Sequence, residues 1–131
     1  MSLHPVPDVF HQQLQSALVD CASVHFEDAA HYARANGLQA HTEFASGAQL
    51  ELRLIVKRPS DSVPCAYRIA GVPGSRTVVH EKSFGREVQR LEAPLESINQ
   101  TLVETELAAF FIKATALPLS YVAARHSPGF L

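Results

Sequence analysis

Cysteine is scarce in this chain, at Cys21 and Cys65 only. Two thiols cannot build the bridge framework of a small secreted domain. A single bridge is open to them, but they read better as reduced, partly buried small hydrophobes in a reducing compartment. Charge of one sign is lacking as well: 11 basic and 13 acidic side chains leave a net charge of -2. No global positive field draws such a protein onto nucleic-acid phosphates or anionic lipid, so nucleic acid is not an expected partner. Long apolar runs are also missing. The longest, Leu107 to Leu119, is interrupted by Lys113 and ends around Pro118, well short of the roughly 20 residues a membrane span requires. Met1 to Pro7 offers His4 as its only potentially positive side chain and no apolar stretch. Neither a secretory signal nor a transit peptide is expected there, and the expected location is cytoplasmic.

Catalytic and cofactor signatures are absent too. No Gly-x-Ser-x-Gly elbow occurs to hold a strained nucleophile. The stretch Gly71-Val72-Pro73-Gly74-Ser75-Arg76 has glycines and a basic residue but not the lysine of a phosphate-binding loop. Pro73 removes one amide that would cradle an anion, and a hairpin turn explains the segment better. No cofactor is implied, and the chain leans away from enzymes.

What is present is hydrophobic patterning. Apolar residues make up 47% of the 131 positions and charged ones 18%, a balance that belongs to ordered globular proteins and not to disordered chains. At this length roughly two thirds of the unfolded surface can be buried in one core, so residues 1–131 are expected to form a single α+β domain, with 1–7 and 118–131 as peripheral tails.

After Asp8, a suitable N-cap, Phe10, Leu14, Leu18, Cys21, Val24 or His25, Ala29, Tyr32 and Ala33 recur at three- and four-residue steps, which is one face of a helix. The pattern stops at Asn36-Gly37, and a bend is expected near Ser23. From Leu38 the period becomes two. Leu38 to Phe44 and Leu50 to Lys57 form a first hairpin, Cys65 to Ala70 and Ser75 to Phe84 a second. Residues 85–93 read as a connector, although a fifth strand or an early helix also fits. Pro94 suits a first helical turn. The positions Leu95, Ile98, Leu102, Ala109 and Ile112, widened by Val103, Leu107 and Phe110, then make a second helix about 35 Å long that ends before Pro118. The predicted fold is two-layered, α-β-β-β-β-α, with an antiparallel sheet of about four strands and both long helices on one face.

Three groups of side chains are candidate sites. His25, Glu27, Asp28 and His31 crowd the second half of helix one, and Glu27 and His31, four apart, could share a proton or a metal. His25 and His31 are about 120° apart on the helix, which spoils a joint site. His25, Glu27 and His31 therefore serve as a candidate polar site between helix one and the sheet, for a small molecule or a modest enzyme, with a solvated helix surface as the simpler explanation. On the outward sheet face, His41, Glu43, Glu51, Arg53, Lys57 and Arg68 are candidates for an interaction surface. His80 is expected on that face as well, and Arg58 and Arg76 could extend a basic strip across it. The leading expectation is a non-catalytic interaction or adaptor domain. It would bind a second copy of itself or another protein through the open sheet face, or through the surplus apolar surface of helix two and the tail.

Overall fold

Gly37 makes the first change of direction, at a φ of +86° that a side chain with a Cβ tolerates poorly. Its N–H donates to the Arg34 carbonyl at 3.1 Å, and the Leu38 N–H donates to the Ala33 carbonyl at 3.0 Å. Those two bonds satisfy the last carbonyls of a helix and release the chain as a strand. The structure, a computed structural model, describes residues 9–47 and 49–125; the expected N-cap Asp8 lies outside them.

Three helical pieces precede that turn: α1 (Val9–Ser16), a π-helical stretch Ala17–Ala22, and α2 (Ser23–Ala35). Ser23, where a bend is expected, has ordinary helical backbone angles, and the irregularity is the wider π-helical turn just before it, which accommodates an extra residue. Phe10, Leu14, Leu18, Ala22, Phe26, Ala29, Ala30 and Ala33 are buried along the stripe that the spacing predicts.

Five strands follow, β1 (Gln39–Ser46), β2 (Leu50–Lys57), β3 (Cys65–Gly71), β4 (Thr77–Phe84) and β5 (Glu87–Pro94). They pair antiparallel in the order β1-β2-β3-β4-β5. The α+β class and the antiparallel sheet stand as expected, but the connector at 85–93 is corrected to a strand. Phe84 pairs with Glu87 across a two-residue loop in which Gly85 has a φ of +69°, the backbone a Gly-x hairpin needs. No residue of β5 is fully buried, so its sequence carries no alternation to betray it.

Leu50, Leu52, Leu54 and Val56 of β2, Tyr67 and Ile69 of β3 and Val78 of β4 lie on one face, joined with the helices in a single core cluster. Strand four therefore turns Val78 and His80 inward, not Thr77 and Val79. A short 3-10 turn (Leu95–Ser97) leads to α3 (Gln100–Thr115). Pro94 closes β5 instead of opening the helix. Asn99 is the cap, its Oδ1 accepting the Leu102 N–H at 2.8 Å, because its extended backbone leaves that amide in reach. Ala116, at a φ of +59°, ends α3.

The first part of the segment expected to be a peripheral tail folds back. α4 (Ser120–Arg125) follows, and Leu119 and Val122 are buried in the core cluster. Tyr32 and Tyr121 meet edge-on with ring centroids 5.2 Å apart, and the Tyr32 and Ser120 hydroxyls lie 2.8 Å apart. Most of the apolar width of helix two is thereby used inside the chain, where Val103, Leu107, Phe110, Phe111 and Ala114 are buried, whereas Ala109 and Ile112 of the expected face are exposed.

Candidate functional site

The helix-one candidates diverge. His25 directs Nδ1 towards Oε2 of the buried Glu104 on α3, at 3.4 Å. Glu27 accepts a hydrogen bond from the Thr42 hydroxyl on β1, and His31 is exposed. The six positions between His25 and His31 aim them at different neighbours, as the helical angle requires. Among the described residues no group of three or more His, Cys, Asp or Glu side chains could hold a metal ion.

The sheet-face candidates, by contrast, are brought together. Cross-strand pairing sets Glu43, Arg53, Arg68, Glu81 and Arg90 in one row across all five strands, on the side opposite the helices. Acids and bases in that row bind one another. Arg53 Nη1 lies 3.7 Å from Glu43 Oε1. Arg68 Nε is 2.5 Å from Glu51 Oε1 in the neighbouring row, and its Nη1 is 3.7 Å from Glu81 Oε1. Arg90 Nε approaches Glu81 Oε2 at 2.5 Å. His41 Nε2 lies 3.1 Å from Glu43 Oε2. Lys57 turns away to the Asp61 carbonyl oxygen at 2.7 Å, and Arg58 pairs with Asp61 at 3.0 Å. Arg76 stacks over the Phe10 ring, 5.5 Å from its centroid. The five basic residues do not converge into a strip.

Between the charged arms the outer face is lined by small apolar side chains. Ala70 and Val79 lie opposite each other in the next row, with Glu51 and Glu92 beyond them. A cleft of about 430 Å³ opens there, lined by Val79, Arg68, Glu81, Arg90 and Glu92 and by the turn residues Val72 and Pro73. That turn is the expected hairpin: the Val72 N–H donates to the Thr77 carbonyl at 3.0 Å, and Gly74 has a φ of +75°.

One polar cluster escaped the sequence reading. His80 faces the core and is 2% exposed, a correction to its expected place on the outer face. Its Nδ1 is 2.8 Å from the Tyr67 hydroxyl and its Nε2 is 2.8 Å from Ser97 Oγ. Burial lowers the imidazole pKa below its usual value, the Glu106 carboxylate partly opposes that, and the Lys82 ammonium adds to it. Burial likewise pushes the Tyr67 phenol well above its ordinary value, and Glu106 acts in the same direction. Lys82 and Glu106 themselves pair at 2.6 Å. An imidazole with both nitrogens engaged by hydroxyls is a satisfied buried group, and it ties the turn before α3 to the middle of the sheet. The one sequence signal for this was the phase of strand four, since His80 is two residues from Val78.

Cys21 and Cys65 are free, and burial raises the pKa of each thiol. No helix among the described residues is long and apolar enough to cross a membrane. No protein-family model matches the chain, and comparisons with curated proteins and with solved structures found no match either.

Proposed function

We propose that this chain is a non-catalytic, cytoplasmic protein-interaction domain that receives a segment of a partner protein on the outer face of its sheet. The observation that carries the reading is the one-sided cover of the sheet. Helices bury the face of Leu52, Leu54, Tyr67 and Ile69, while the opposite face holds its charges in fixed pairs around the Val79 cleft. Side chains held by neighbours lose less conformational freedom when a partner docks.

The chemistry of the cleft points to one kind of occupant, an extended segment that sets an apolar side chain on Val79 and carries charges of both signs. Arg68 and Arg90 suit carboxylates, and Glu81 and Glu92 suit lysine or arginine. Nucleic acid fits poorly, because Glu43, Glu51 and Glu81 are interspersed with the arginines and would repel a run of phosphates, so no positive strip is left unopposed. The surface of α3 is a weaker candidate, because Val103, Leu107, Phe110 and Phe111 are spent on the core and Ile112 is its one large exposed apolar side chain among the described residues. Two free thiols suit a reducing compartment.

Peptide display against the whole chain tests the reading, with Val79→Arg as the counter-target. Enriched peptides should combine an apolar residue with both charge signs and should lose binding to the variant. A selection that enriches nothing, or peptides that bind Val79→Arg equally well, would reject this surface.

A further inference from the structure

A sheet with five strands in sequence order has two edges, β1 and β5, and each presents a row of backbone groups without a strand beside it. The edges are not equivalent. Arg34 on α2 donates from Nη1 to the Ala40 carbonyl of β1 at 2.9 Å, and Glu27 of the same helix holds Thr42. Helix α2 thus occupies the first half of the β1 edge, at Ala40 and Thr42, and leaves Glu43 to Ser46 exposed. Along β5 seven of the eight residues are exposed and the eighth is half-buried. Val88 and Leu91 are 51% and 48% exposed, among the most exposed large apolar side chains described.

We propose that β5 is a self-pairing edge, through which two copies of this chain join their sheets antiparallel about a two-fold axis at Leu91. The register follows from geometry and charge. A two-fold axis that continues a sheet keeps each side chain on its own side, and facing residues must share a side. The axis must therefore pass through a residue facing its own copy. An axis at Arg90 sets two guanidinium groups against each other, and one at Glu92 sets two carboxylates, both unfavourable. An axis at Gln89 leaves Ala93 and Pro94 outside the overlap.

At Leu91 the pairing is self-complementary. Leu91 meets Leu91 on the helix side, where it borders a cleft of about 220 Å³ shared with His80, Lys82 and Glu106. Arg90 faces Glu92 of the second copy twice over, on the outer side. Gln89 then faces Ala93, and Val88 faces Pro94, whose missing N–H is harmless at the end of a strand. Charges on an edge strand usually repel a neighbour; here the order Arg90, Leu91, Glu92 makes them attract. The product is a continuous ten-stranded sheet with helices on one side. Its interface is small, below the roughly 1,200 Å² of stable complexes, so the dimer forms reversibly.

The two readings share Arg90 and Glu92, which border the outer cleft, but Val79→Arg alters only the cleft and Leu91→Lys only the helix side of the edge, so the two fail separately. Sedimentation of the whole chain from micromolar to millimolar concentration tests it. The mass should rise towards twice that of the chain. Arg90→Glu, which sets Glu92 against another carboxylate, should weaken dimerisation by roughly tenfold, and so should Leu91→Lys. The exchange Arg90→Glu with Glu92→Arg restores opposite charges across the axis and should recover the affinity to within about threefold. All these positions are exposed, and circular dichroism should show each variant folded. A chain that stays monomeric throughout, or a dimer indifferent to Leu91→Lys, or an exchange no better than Arg90→Glu alone, would overturn the proposal.

Discussion

The Tyr67 hydroxyl and His80 Nδ1 face each other at 2.8 Å inside the core, between strands that pair Tyr67 with Lys82 and Ile69 with His80. Phe26 and Phe110 flank the same phenol, with ring centroids 5.0 and 6.1 Å away. Neither the hydroxyl nor the Nδ1 side of the imidazole can turn to water there without opening the core. Tyr67→Phe is therefore expected to destabilise the protein by about 1–3 kcal/mol, the cost of leaving a buried polar atom unpaired. Urea unfolding of the two proteins checks this. Ser97→Ala should cost less, because Ser97 is half-buried and water can take its place. Equal losses would contradict the difference in burial.

The same imidazole makes stability depend on pH. Its folded pKa is lowered, chiefly by burial, so between that value and the unfolded value of about 6.5 the unfolded chain binds more protons. The contribution of His80 is complete above about pH 6.5 and is lost as the pH falls through the window below it. The urea midpoint of the wild type should fall more steeply with acidification than that of His80→Leu, which has no group to titrate there. Parallel profiles would remove His80 as the source.

Asn99 holds the start of α3 through the Leu102 amide at 2.8 Å. Asn99→Ala should cost about 1 kcal/mol, whereas Asn99→Asp, which keeps the acceptor, should be close to neutral. Thermal melts of the two variants separate capping from a general sensitivity of the segment.

Leu119 and Val122 are 2% and 4% exposed, so the segment after α3 behaves as core. Leu119→Ala should destabilise by about 2–4 kcal/mol, in the range of buried leucines elsewhere. A change below about 0.5 kcal/mol, which is the size expected of a surface position, would return this segment to the periphery.

Arg68 and Arg58 both make ion pairs, but in different settings. Arg68 bridges Glu51 and Glu81 with its side chain 23% exposed, and Arg58 reaches Asp61 from a largely exposed position. Arg68→Ala should lower stability measurably and lose part of that effect in high salt, while Arg58→Ala should leave it nearly unchanged at either ionic strength. The comparison is read from urea midpoints at two ionic strengths.

Legibility in the sequence tracked burial closely. Leu50, Leu52, Leu54 and Val56 alternate because one side of β2 is core, and the helix-one stripe from Phe10 to Ala33 is regular for the same reason. β5 was missed because Glu87, Gln89, Arg90 and Glu92 sit on an edge with no buried side. The start of α3 was displaced because Pro94 is equally acceptable at the end of an edge strand, and Asn99 outcompetes it as a cap. Among candidate sites, the outer-face residues could be grouped by parity alone, so Glu43, Glu51, Arg53 and Arg68 were found together. His80 is not legible as an inward residue because the phase of strand four is fixed by its pairing with Ile69 and Leu91 and not by an alternation of its own.

Period and punctuation in the chain itself determined the α+β class, the helix-to-strand change at Gly37, the two central hairpins and the face that each strand of β2 and β3 turns inward, since these depend on near neighbours and on the separation of apolar from polar side chains. Only the tertiary structure decided the fifth strand, the pairing of Arg53, Arg68 and Arg90 with their carboxylates, the inward place of His80 and the return of Leu119 and Val122 to the core. The last of these join residues far apart in sequence, whose energies exist only once the elements have packed, and the fifth strand, although a local hairpin, has no buried side to mark it.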